Sequence, residues 1–334
     1  MVLVSFQELK SLILGILLNN GVPKVKAELL AIIIAESTLD GVNSHGINRL
    51  PLLVDYIQRS IVKIDAEPEI LNAAPSFLQV DGHFGFGILN AVFCTQKAIE
   101  LADNNGIGLV ALKNTNHWHR AGTYGWQAAN EGKILICWTN TIPIVPPYGS
   151  KTNLIGNNPF VIAIPRGEGH IVLDMATSQY SYGKISIHAR TGEPLPEFGG
   201  YDQNGLLTNN AADIKTSGRH LPIGFWKGSG LTFILDMLAA ILSGGNSTTR
   251  LGKNGDDDTG MSQVFIAIDP AKFGDKNFHD SLINETINQF REYSVLENAS
   301  IKYPGEDTLK RRNHNSIHGI PVEKTILQKI KKRI

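Results

Sequence analysis

Apolar residues recur at three- and four-residue intervals from Phe6 to Leu18, which is the spacing of one helix face. Ser5 and Glu8 precede that run as a capping box, each side chain able to satisfy a free amide at the helix start. Asn19-Asn20-Gly21 ends the pattern. Pro23 suits the first turn of a second helix that stops before Gly41, and a third helix is predicted over 48–58. The first 65 residues therefore read as a helical segment.

Beyond Pro68 the pattern changes. Short apolar runs at 77–80, 108–112, 134–138, 160–164, 171–173 and 264–268 predict strands. Between them, 87–102, 123–130, 229–242 and 278–293 predict helices, with Asn104-Asn105-Gly106 marking a turn. The chain is thus α/β, with a helical preface and no repeat of fixed period. The polar, glycine-rich stretch 244–260 is expected as an exposed loop. The basic run 329–333 is expected as the solvated last turn of a helix.

Composition narrows the function classes. At roughly 150 residues per domain, 334 residues suggest two domains. Lys plus Arg and Asp plus Glu are both 31, so no global field draws the protein to nucleic acid or to an anionic membrane. The two cysteines, Cys94 and Cys137, lie in apolar surroundings and read as buried free thiols of a reducing compartment. The longest purely apolar run, 29–35, is far short of the ~20 residues of a membrane span. A cytoplasmic protein with a small-molecule partner is expected.

Several motifs are missing. Gly82-His83-Phe84-Gly85-Phe86-Gly87 has the dinucleotide spacing reversed, and Gly252-Lys253-Asn254 is not a P-loop. No serine stands in a nucleophile elbow. Asp256-Asp257-Asp258 lacks the spacing of a calcium loop. His117 and His119 would share one face of a strand, but no third ligand stands beside them, so no metal site is expected.

Chemistry concentrates in Gly41-Val42-Asn43-Ser44-His45-Gly46-Ile47-Asn48-Arg49, a polar turn between two apolar helices. If Gly46 leads into a helix, His45 and Arg49 share a face. An imidazolium can protonate a carbonyl oxygen, and a guanidinium can grip a carboxylate with two parallel bonds. Together they suit reduction of a 2-keto acid; the same spacing fits a helix cap with a surface arginine. Asn114 to Trp118 follows a strand at the sheet end where ligands sit. Thr139-Asn140-Thr141 and Gly156-Asn157-Asn158-Pro159 flank other strands, and both also fit plain turns. Trp226-Lys227-Gly228-Ser229-Gly230 opens a long helix whose free amides, with Lys227, would suit a phosphate.

These residues occur in a recognisable order. Ser44-His45-Gly46 with Arg49, Gly106 to Val110, Asn116-His117 with Gly122 and Gly125, Gly156 to Pro159, Leu173-Asp174-Met175-Ala176, Tyr182-Gly183-Lys184 and Pro304-Gly305-Glu306 form one series. It resembles the second, non-Rossmann type of malate/L-lactate dehydrogenase, over nearly the whole chain. That family includes oxidoreductases of sulfolactate, ureidoglycolate and 2,3-diketo-L-gulonate, the last group being the most similar. The resemblance implies a mixed sheet with flanking helices and a non-Rossmann NAD(P)-binding fold that needs no glycine fingerprint. It implies a helical segment 1–65 packed with 305–334, and an α/β region 66–304 whose NAD(P)-binding part is roughly 115–260. It also implies a homodimer, NADH (or NADPH) as cofactor and a small 2-keto sugar acid as substrate. By match, His45 is the proton donor, with Ser44, Arg49 and His117 as substrate residues. The dinucleotide would be held by His170, Ile171, Val172, Leu173, Asp174, Met175, Ala176, Trp226, Lys227, Gly305, Glu306 and Asp307. Two departures bear on the site: Glu306 follows Gly305 without the intervening histidine of the similar group, and Lys184 replaces an apolar residue. A malate, lactate or ureidoglycolate enzyme, or an inactive NAD-binding relative, fits the same series.

Overall fold

The structure, a computed structural model, describes residues 1–167, 169–254, 257–293 and 300–331. It opens with β1 (Val2–Val4), α1 (Phe6–Asn19), α2 (Lys24–Leu39) and α3 (Leu50–Gln58). There follow β2 (Glu69–Ala74), β3 (Phe77–Asp81), α4 (Gly87–Asn105), β4 (Ile107–Asn116), α5 (Gly122–Asn130), β5 (Ile134–Thr139), β6 (Phe160–Ile164) and β7 (Ile171–Met175). Next come α6 (Tyr182–Thr191), β8 (Gly200–Tyr201), β9 (Leu207–Thr208), α7 (Ala211–Ser217), α8 (Trp226–Ser243), α9 (Thr248–Leu251) and β10 (Thr259–Ile268). The last elements are α10 (Lys276–Glu292), α11 (Glu306–His318), β11 (Ile320–Val322) and α12 (Lys324–Lys331).

Seven strands form one sheet in the order β2-β3-β4-β10-β5-β6-β7. Only β3 and β4 run parallel, so the sheet is mixed, as expected. One face packs α4 and α5 around Trp118, Tyr124 and Phe265; the other carries α8 on Trp138, Ala111 and Val264. A separate core joins α1, α2 and α3 to Ile320, Val322, Leu327 and Ile330 near the other end of the chain. There β1 pairs antiparallel with β11, Val2 opposite Val322. The capping box holds: Glu8 N–H donates to Ser5 Oγ, and Ser5 N–H to the Glu8 carboxylate. Among the described residues no helix is long and apolar enough to cross a membrane.

Four expectations change. The third helix begins at Leu50; residues 43–49 are instead two 3₁₀ turns, Asn43–His45 and Ile47–Arg49. Asn114, Thr115 and Asn116, expected after a strand, are the end of β4. The expected loop 244–260 contains α9, with Thr248 and Leu251 buried; Gly255 and Asp256 of that stretch lie outside the described residues. The basic run begins inside α12, where Ile330 packs into the helical core, and its residues 332–333 lie outside the described ones.

Candidate active site

The Ser-His-Gly turn is built on α2. Ile47 N–H donates to Thr38 Oγ1 at 3.0 Å, drawing the chain tight against the helix end. A Cβ on Gly46 would lie 2.4 Å from that oxygen, so only glycine fits. The result is a break between two 3₁₀ turns, not the single helical face expected for His45 and Arg49. Thr38 also back-bonds to Ile34 O at 2.8 Å, which fixes the hydroxyl. Ser44 Oγ lies 3.0 Å from His45 Nδ1, and Gly183 in the first turn of α6 packs over Ser44. A serine hydroxyl donating to Nδ1 would leave the mobile proton of His45 on Nε2.

Two more imidazoles join it. His117 stacks on His45, with centroids 5.7 Å apart and planes 16° off parallel, and His119 meets His117 edge-on at 5.9 Å. His119 N–H donates to His117 Nδ1 at 3.0 Å, which places a neutral His117 proton on Nε2. His119 Nδ1 lies 3.2 Å from the His45 carbonyl and so must donate to it. His119 has φ 62°, and this left-handed turn takes the two histidines off any common strand face. Among the described residues no cluster of three or more metal-ligating side chains occurs.

Arg49 lines a cleft with Tyr56, Phe86, Asn116, His117 and His119. Burial first, and the Arg49 guanidinium second, push His45 down to about 4 and His119 down to about 3; the same two causes hold His117 well below its ordinary value. Asp174 acts the other way on His45. All three rings are therefore neutral at pH 7 in the free protein, and an anion bound at Arg49 would remove the second cause of the shift.

Two ion networks hold this cluster. On one side the Asp40 carboxylate, closing α2, takes Arg120 and, through Nε at 2.6 Å and Nη2 at 3.1 Å, Arg312 of α11. Arg120 Nε also lies 3.7 Å from Asp174 Oδ2, which accepts the Gly122 N–H at 3.0 Å. On the other side Arg49 Nη2 pairs with Asp258, and Arg59 grips Asp257 with two bonds of 3.1 and 2.6 Å. Asp258 N–H donates to Tyr56 Oη at 3.0 Å.

The segments assigned to a dinucleotide meet along the outer edge of β7. Val172 N–H donates to Pro304 O at 2.9 Å, and a Cβ on Gly305 (φ 95°) would lie 3.0 Å from that nitrogen. This joins 170–176 to 305–307. Past Ala176, Ile223 N–H donates to Thr177 O at 2.8 Å, bringing the start of α8 to the same edge. Glu306 is buried; its Oε1 takes Arg291 and Lys310, and its Oε2 is buried with no hydrogen-bond partner among the described residues. A lone buried carboxylate oxygen fits a hydroxyl donor such as a ribose, so the residues present suit a dinucleotide. Asp307 is held by Lys302 at 2.9 Å. His170 is engaged at both nitrogens, by Arg166 N–H and by Asn130, so its side chain supports the strand. The amides at the start of α8 are not free: those of Lys227, Gly228 and Ser229 donate to Gly224, Ile223 and Phe225 carbonyls. Trp226 and Lys227 themselves are exposed.

Asp40, Arg120, His119 and Asp258 belong to the site, and sequence reading missed these roles. His119 carried a signal, two residues after His117. The others are joined to their partners across 80 to 272 residues of chain.

A mixed sheet without a glycine fingerprint and a Ser-His-Gly turn beside an arginine define a class. The chain belongs to the malate/L-lactate dehydrogenase family, whose model matches residues 4–331, and it is an oxidoreductase of that family. Among its relatives, the 2,3-diketo-L-gulonate reductase of Pasteurella multocida is 40% identical over 329 residues, 98% of this chain and 99% of that one. The sulfolactate dehydrogenase of Methanocaldococcus jannaschii superposes with TM-score 0.91 at 30% identity, covering 99% of this chain and 96% of that one. The malate dehydrogenase of Pyrococcus horikoshii OT3 also gives TM-score 0.91, at 28% identity over 99% and 94%.

Proposed function

We propose that the chain reduces 2,3-diketo-L-gulonate to 3-keto-L-gulonate, with NADH, or NADPH in its place, as co-substrate. The nicotinamide, when bound, supplies the hydride. The chain's own residues position the keto acid and manage the proton. Arg49 binds the C1 carboxylate through the donors that Asp258 leaves unused. That neutralises one of the charges depressing His45, which then takes up a proton from solvent, and the resulting imidazolium protonates the ketone oxygen as it becomes an alkoxide. Ser44 orients His45 through Nδ1, and His117 offers Nε2–H to the substrate. Residues 170–176, 226–227 and 305–307 would hold the dinucleotide, to which Glu306, with its buried and unpartnered Oε2, would offer an acceptor. The observation that carries the reading is Arg49 lining one cleft with His117 and His119 while it depresses His45. The relatives named 2,3-diketo-L-gulonate reductase support the substrate. A malate- or lactate-type substrate is the second reading, favoured by the structural neighbours.

The exposed apolar side chains Phe233, Ile234, Leu238 and Ile241 on α8 support a homodimer. The buried free thiols Cys94 and Cys137 support a cytoplasmic location.

The test follows NADH absorbance with 2,3-diketo-L-gulonate, with pyruvate and oxaloacetate beside it. In His45→Ala, turnover falls about 10²–10⁴-fold while NADH binding, read by fluorescence, changes little. Turnover near that of the unaltered enzyme would remove His45 from its role.

A further inference from the structure

The acidic residues paired with Arg49 and Arg59 suggest what the site rejects. Among the described residues lining the cleft, Arg49 is the only Lys or Arg, and its guanidinium is already paired with Asp258 through Nη2. The next cation along α3, Arg59, is matched twice over, by Asp257 and by Asp55. Asp258 cannot simply drift away, because its amide is tied to Tyr56 Oη on α3. A ligand with one carboxylate can use the remaining donors of Arg49. The second carboxylate of a dianion would add its charge to that of Asp258 at Arg49, and among the described residues lining the cleft it finds no other Lys or Arg.

We propose that Asp258 is a specificity-determining residue that selects monoanionic over dianionic keto acids by holding one donor of Arg49 and repelling a second carboxylate. The inference rests on Arg49 receiving the substrate carboxylate. It favours a sugar-derived or short monocarboxylic keto acid and disfavours oxaloacetate.

The experiment compares kcat/KM for oxaloacetate, a dianion, with that for pyruvate, a monoanion, in the intact enzyme and in variants. In Asp258→Asn the oxaloacetate-to-pyruvate ratio rises about fivefold, the size of one like-charge contact at about 4 Å screened as in bulk water. Asp258→Glu keeps the original ratio. Asp257→Asn, which removes the same charge one residue away from beside Arg59, moves it less. An unchanged or lower ratio in Asp258→Asn overturns the proposal. So does an intact enzyme that already uses oxaloacetate as efficiently as pyruvate. Calorimetric binding of L-malate and L-lactate gives the same comparison without turnover, so failed reduction chemistry would not conceal the result. If 2,3-diketo-L-gulonate is reduced but neither L-malate nor L-lactate binds, the selection by Asp258 is overturned while the proposed function stands. Asp258→Ser carries the same test should the asparagine variant fail to fold.

Discussion

The two ion networks beside the imidazoles use the same chemistry in different solvents. Asp40 is 0% exposed and Arg120 4%, whereas Arg49 and Asp258 keep 23% and 17%, and Arg59 50%. A buried network cannot lose a member without stranding a charge, so it acts as a fixed brace. A half-open pair can trade partners with an incoming anion at little cost. The site thus has a rigid wall, where α2, α11 and the 120–122 turn are locked together, and an exchangeable wall at Arg49. The proposed reaction would use both: one to hold His45, the other to admit a carboxylate.

Removing the brace has the largest expected effect. Asp40→Asn leaves Arg120 and Arg312 without their shared carboxylate and is expected to cost about 3–5 kcal/mol of stability, read by denaturant melts. A loss no greater than that of a surface variant would show that the two arginines find other partners.

Acid titration gives an effect of comparable size, spread over two pH units, and links the two walls. His45 and His119 have folded values of about 4 and 3, below the ordinary value of 6.5. Between those limits the unfolded chain binds more protons, so these rings' contribution is present above pH 6.5 and is lost as pH falls. Each ring is expected to contribute a slope of up to about 1.4 kcal/mol per pH unit, measured between pH 6.5 and 4.5. Arg49→Gln should flatten that slope, since Arg49 is the second cause for all three rings. A slope that survives intact would assign the shifts to burial alone.

The smallest effect belongs to the outermost pair. Arg59→Ala is expected to leave the melting temperature almost unchanged, because its partners are held in open solvent. A marked drop would show that the 257–258 stretch depends on α3 for its place.

The sequence made the Ser-His-Gly turn legible because Ser44, His45 and Gly46 interrupt two apolar helices and each is chemically distinctive. The order of apolar runs likewise disclosed most of the large sheet. β2 escaped because it is an edge strand exposed along nearly its whole length, with no alternation to read. α11 escaped because only Glu306 and Asn315 are buried on it, both polar. The brace and the Asp258 contact escaped for a different reason. A charge carries no period, and nothing local says that Asp40 will meet residues 80 and 272 positions away. The start of α8 was misread because its amides looked free, when the turn before it folds back to take them.

The antiparallel pairing of Val2–Val4 with Ile320–Val322 sets a timetable as well as a shape. A ribosome releases the His45 turn early, yet its brace needs Arg312 and its helical core needs Ile320, Val322 and Ile330, which emerge some three hundred residues later. The residue read here as the proton donor would thus be among the first made and among the last secured. A partly synthesised chain would carry the histidine without the enzyme.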